Sequence, residues 1–109
     1  MEGRMGVIKG VLREELNNSL RMQGDYEQEL KKLPRGSLVK KNIKGRDYYY
    51  LLMREAGKVK FIYRGKVSDD EVEKYREVKV LRARYRNLLS KVKKQVKYLR
   101  SSLRGKAAV

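Results

Sequence analysis

Tyrosines and cations alternate through the middle of this chain. Tyr48, Tyr50, Arg54, Lys58, Lys60 and Arg64 fall at even positions of two short β-prone runs, with Arg35, Lys40, Lys41, Lys44 and Arg46 near the run ends. Lysine and arginine neutralise phosphates and release counterions, while tyrosine rings pack on sugars and bases, so the pattern suits a nucleic-acid surface. A small sheet can also lie in a major groove and present alternate side chains to base edges. Tyrosine is equally a good strand former, and lysine protects exposed sheets from aggregation, which accounts for the same residues without a ligand. A second set of cations, Lys79, Arg86, Lys93 and Arg100, recurs every seven residues, and no Asp or Glu follows Glu77. That ladder reads as a phosphate-contacting flank or as the solvated face of a coiled coil.

Covalent chemistry has few candidates. Cysteine, histidine and tryptophan are absent, which removes disulfides, thiolate nucleophiles, Cys/His metal sites and imidazole bases. The 13 acids lie mostly on helical runs beside lysines and arginines, where i,i+4 pairing accounts for them. Tyrosine with arginine or lysine serves phosphoryl transfer in recombinases, but the histidines and chain length that accompany it are missing. Lys32-Leu33-Pro34-Arg35-Gly36-Ser37 has the look of an anion loop; without a Walker Gly-Lys-Ser/Thr arrangement it reads as a helix-to-strand turn. The chain reads as a non-enzyme with no cofactor and no metal site.

The 29 Lys and Arg exceed the acids by 16 charges, an excess that strains a compact fold by self-repulsion until counter-charge arrives. Nucleic acid is the commonest supplier, with DNA favoured over RNA; an acidic protein partner is the alternative. Hydrophobic residues make up 40% of the chain, enough for a folded domain rather than a disordered basic tail. No run approaches the ~18 apolar residues of a membrane span, and the N-terminus lacks the apolar core of a signal peptide. A cytoplasmic protein without membrane contact is expected.

The elements that must position these residues are legible from their periods. A spacing of three or four through Ile8, Leu12, Leu16, Met22, Tyr26, Leu30 and Leu33 predicts a helix over 7–33, with a late start near Val11 or a bend at Gly24, ended by Pro34. Met5 follows Met1 closely, so residues 1–4 are set outside the fold and 1–6 form a flexible start. From 37 to 64 the period falls to two, predicting an antiparallel β-meander of three strands with turns at Lys44-Gly45 and Ala56-Gly57. Alternation places Tyr49, Leu51 and Met53 on a core side with Val59, Phe61 and Tyr63. Tyr48, Tyr50, Leu52 and Arg54 then share the other side with Lys58, Lys60, Ile62, Arg64 and either Lys40 or Lys41.

Ser68-Asp69-Asp70-Glu71 fits a capping box, opening a helix over 68–104. A helix of about 36 residues spans roughly 54 Å. Its apolar seam runs through Val78, Leu81, Tyr85, Leu88, Val92 and Leu99, drifting from Gln95 to Val96 and from Ser102 to Leu103. Arg100, Arg104 and Lys106 suit its negative end, and Gly105 stops it before a 105–109 tail. The expected fold is a single α+β domain whose two helices form an antiparallel coiled-coil hairpin with the sheet at its tip. Leu89, Val96 and Leu103 beside the seam are left for a second copy, making a homodimer.

Leu33-Pro34-Arg35-Gly36-Ser37-Leu38, Ile43-Lys44-Gly45-Arg46-Asp47-Tyr48-Tyr49-Tyr50-Leu51 and Gly57-Lys58-Val59-Lys60-Phe61-Ile62-Tyr63-Arg64-Gly65-Lys66 together resemble a family of short uncharacterised bacterial and archaeal proteins. That resemblance covers most of the chain and implies an accessory role in mobile elements or host defence. About thirty residues are also similar to small sheets near the start of some transposases and phage integrases, which implies DNA binding by the sheet; no recombinase catalytic residues carry over. Two functions follow: a nucleic-acid-binding accessory protein working mainly through the phosphate backbone, or an inhibitor or regulator that binds an acidic protein.

Overall fold

The computed structural model describes residues 2–108, in the order α1 (Glu2–Lys32), β1 (Ser37–Ile43), β2 (Arg46–Glu55), β3 (Lys58–Gly65) and α2 (Asp69–Ala108). Met1, expected in the flexible start, and Val109, expected in the tail, lie outside the described residues, as does the side chain of Lys106. The fold is α+β, with the strands in the order β1-β2-β3 and both pairs antiparallel.

Both helices run past their expected limits. α1 is continuous through Gly10 and Gly24, neither of which is crowded; a propensity cost of about 1 kcal/mol each does not break a helix that buries one side. α2 continues through Gly105 to Ala108. Gly105 does not stop it, because only Gly36, Gly45, Gly57 and Gly65 among the described glycines adopt positive φ, and a glycine stop requires that left-handed turn. At the start of α2, the Glu71 amide donates to Ser68 Oγ at 3.2 Å and the Val72 amide to the Ser68 carbonyl at 3.0 Å. The Glu71 carboxylate does not complete the box; it accepts from Arg64 at 3.0 Å.

The turns decide which side chains share a face. Lys44 and Gly45 have φ of 53° and 80°, and Ala56 and Gly57 have φ of 52° and 77°, the double-positive signature of two-residue type I′ hairpins. Ile43 therefore opposes Arg46, and Glu55 opposes Lys58. Across a two-residue turn, odd positions of one strand face even positions of the next, which corrects the expected faces. Val59, Phe61 and Tyr63 stand opposite Arg54, Leu52 and Tyr50, whereas Lys60 and Ile62 stand opposite Met53 and Leu51. A bulge between Tyr49 and Tyr50 moves Gly65 opposite Tyr49.

The chain divides into two compact units. The first holds α1 up to Lys31 and α2 from Arg84 onward. These segments lie antiparallel: the rings of Tyr26 and Tyr85 are 6.2 Å apart, and Gln23 shares a depression with Val96 and Arg100. Val92, Val96 and Leu99 are buried, as is Ser19, at 2% exposure. Val96, expected to be left for a second copy, is thus part of the core of this unit, and Leu89 and Leu103 are half-buried.

The second unit, Lys32–Ala83, contains the sheet and the first turns of α2. Leu51 and Val78 are buried in it. The Leu51 face of the sheet meets the helix around a depression of about 310 Å³ lined by Leu38, Lys40 and Tyr49 with Val72, Tyr75 and Lys79. Among the described residues, no helix is long and apolar enough to cross a membrane.

Candidate nucleic-acid interface

The face of the sheet turned away from Leu51 is aromatic. Tyr63 on β3 stands opposite Tyr50 on β2, their ring centroids 5.4 Å apart and edge-on at 63°, and it also lies 6.4 Å from Tyr48. Phe61 is two residues along the same strand. Phe61 and Tyr63 are 58% and 59% exposed, far more than a core position allows. They share the outer face with Tyr50 and Lys41, although the expected register placed them in the core. The signal that identifies them is the count of two turn residues between Glu55 and Lys58.

Lys41 supplies the charge on this face. It opposes Tyr48, and its Nζ lies 5.0 Å from the Tyr50 ring centroid and 5.8 Å from that of Phe61. Such exposed cation–π contacts are worth about 0.5–1 kcal/mol each, so they set the direction of the lysine rather than the stability of the sheet. Arg46 opposite Ile43 and Arg54 opposite Val59 place exposed cations toward the two turns of the same face.

The remaining cations of the sheet have other engagements. Lys40 lies 3.8 Å from Asp47, Lys60 2.7 Å from Glu55 and Arg64 3.0 Å from Glu71. All three positions alternate with Lys41, Phe61 and Tyr63 rather than joining them. Lys58 opposes Glu55, Lys44 is a turn residue, and Arg35 donates from Nη2 to the Arg54 carbonyl at 3.1 Å. The loop before β1 is a connector: its Pro34 and Gly36 carbonyls accept from Arg82, which engages its acceptors and builds no cradle of amides.

The helical ladder also divides. Lys79 lines the depression of the second unit, and Arg86 is exposed. Lys93 and Arg100 are joined by Lys97 and Arg104 around a depression of about 260 Å³ in the first unit, completed by Gln23 and Val96. Lys97 and Arg104 escaped the seven-residue count. They are found by helix geometry, since positions i, i+4, i+7 and i+11 lie on one side of an α-helix. No carboxylate lines this depression, and none of the four cations has an ion-pair partner among the described residues. Among those residues no group of His, Cys, Asp and Glu is arranged to hold a metal ion.

Fold and site define an α+β protein with an aromatic, cation-bearing antiparallel meander and a long second helix that carries, toward its end, four cations without ion-pair partners among the described residues. Residues 8–74 match the model of DUF6788, a domain of unknown function, and the chain belongs to that family. The matched stretch takes in α1, the whole sheet and the start of α2, and ends before the cluster at Lys93. No curated protein and no solved structure matches the chain.

Proposed function

We propose that this protein is a non-catalytic nucleic-acid-binding accessory protein of the cytoplasm. Lys93, Lys97, Arg100 and Arg104 neutralise backbone phosphates, and the Lys41 face of the sheet receives sugars and bases. The observation that carries this reading is the set of four cations around one depression without a lining carboxylate. Like charges held this close repel one another, and a polyanion relieves that repulsion while releasing its own counterions. An acidic protein would satisfy the same cations. The aromatic face favours nucleic acid, because exposed rings beside a lysine suit bases and sugars better than they suit carboxylates.

Salt dependence of binding tests the reading. Plotted as log affinity against log salt, four phosphate contacts give a slope between about −3 and −4. Replacing Lys93, Lys97, Arg100 and Arg104 by glutamine removes most of that slope. If neither DNA nor RNA binds the intact protein at low salt, the proposal fails and the acidic-protein alternative takes its place.

A further inference from the structure

We infer that the outer face of the sheet selects unpaired nucleotides, so that the preferred ligand is a single strand rather than a duplex. This rests on the nucleic-acid reading above and deepens it. Its starting point is the solvent exposure of Phe61 and Tyr63, two rings on one face of one strand.

An exposed ring gains from a base only by covering the base's flat face. Inside a duplex those faces are already covered by neighbouring base pairs, stacked at a rise of about 3.4 Å. Side chains two residues apart on a strand stand about 6.8 Å apart, twice that rise. Neighbouring bases resting on Phe61 and Tyr63 must therefore be separated from each other, which a single strand permits and a duplex forbids without local melting. Stacking of this kind tolerates any base, because every base has a π-face.

Tyr63 has neighbours that orient it. Its ring packs against those of Tyr48 and Tyr50. It also runs beside Gly65, where an added Cβ would lie 3.5 Å from its hydroxyl and 3.6 Å from its ring carbons. Lys41 sits toward Tyr50 and Phe61, where a phosphate joining two stacked nucleotides would meet a positive charge. Of the sheet's other cations, Lys40, Lys60 and Arg64 alternate away from this face and are paired with Asp47, Glu55 and Glu71, which leaves Arg46 and Arg54 at its two turn ends with the rings between them.

The experiment measures fluorescence anisotropy of end-labelled oligo(dT) and oligo(U), about 12 nucleotides long, against a mixed-sequence duplex of the same length, titrated with the full chain. The comparison variant is the double replacement Phe61→Leu with Tyr63→Leu, which removes both rings while keeping apolar bulk; circular dichroism and thermal melting verify its fold. The wild type should bind at least one single strand about tenfold more tightly than the duplex, and the double variant should lose about that factor for single strands while keeping its duplex affinity. Equal or tighter duplex binding by the wild type overturns the inference and leaves the general reading standing, as does an unchanged single-strand affinity in the folded variant. Failure of all three probes to bind overturns both.

Discussion

Arg82 donates from Nη2 to the Pro34 carbonyl at 2.6 Å, and both of its terminal nitrogens reach the Gly36 carbonyl at 3.3 Å. One half-buried side chain of α2 thus holds the connector that delivers β1 to the sheet. Hydrogen bonds from a charged donor contribute about 1.5–3 kcal/mol, and carbonyls left without a donor add a desolvation cost. Arg82→Ala should lower unfolding free energy by about 2–3 kcal/mol, read as a lower urea midpoint at constant m-value. Arg82→Lys should recover less than half, because an ammonium cannot reproduce the guanidinium fork.

The same connector contains a glycine that admits no side chain. Gly36 has φ of 92°, and an added Cβ would stand 2.9 Å from Leu51 Cδ1 and 3.0 Å from the Leu52 carbonyl oxygen. Gly36→Ala combines a left-handed backbone cost of about 1–2 kcal/mol with displacement of a buried leucine, and should destabilise by more than about 2 kcal/mol. Gly24 provides the contrast: it is helical, with nothing within 4 Å of an added Cβ. Gly24→Ala should stabilise by about 0.5–1 kcal/mol. Opposite signs in one denaturation series check both statements.

Lys41 and Lys60 provide a test of which sheet face would bind. Lys41 points across aromatic rings, whereas Lys60 is exposed and pairs with Glu55 at 2.7 Å. Lys41→Ala should weaken oligonucleotide binding about threefold to tenfold, the range for losing one phosphate or stacking contact. Lys60→Ala should change affinity less than about twofold, since its charge is already matched, and stability by no more than about 1 kcal/mol. Equal losses for the two variants in parallel titrations would show that the binding face is not the aromatic one.

Ser19 is the most deeply buried residue of α1. A small side chain at this position lets the helices of the first unit approach closely. Ser19→Leu adds two heavy atoms to a closely packed site, an overpacking that costs about 1–3 kcal/mol. Ser19→Ala, which keeps the space, should cost less than about 1 kcal/mol. Thermal melts of the two variants measure the difference.

The sequence carried the elements and the order of the sheet, because periods of two and of three to four are local and the glycine turns are explicit. It carried less of the candidate site. β3 alternates Lys58, Lys60 and Ile62 with Val59, Phe61 and Tyr63, and hydropathy draws the apolar set inward. Hairpin geometry overrides that preference: the two-residue turn at Ala56-Gly57 fixes the pairing, and Leu51 takes Ile62 as its neighbour. Arg82 was equally hidden, since its partners are backbone carbonyls dozens of residues earlier and leave no trace in side-chain pattern. Continuation of α2 through Gly105 was missed for a simpler reason. A glycine ends a helix only when it turns left-handed, and composition does not distinguish the two conformations.

Register, rather than any single side chain, decides what this sheet shows. Sliding β3 by one residue against β2 would exchange its two sides, setting Lys60 and Ile62 where Phe61 and Tyr63 now stand, and sliding it by two would restore the original sides. The paired positive φ values at Ala56 and Gly57 pin the hairpin at one of these settings. A turn substitution that let the strand slip by one would therefore reach every side chain of β3 at once, with no ring or cation replaced.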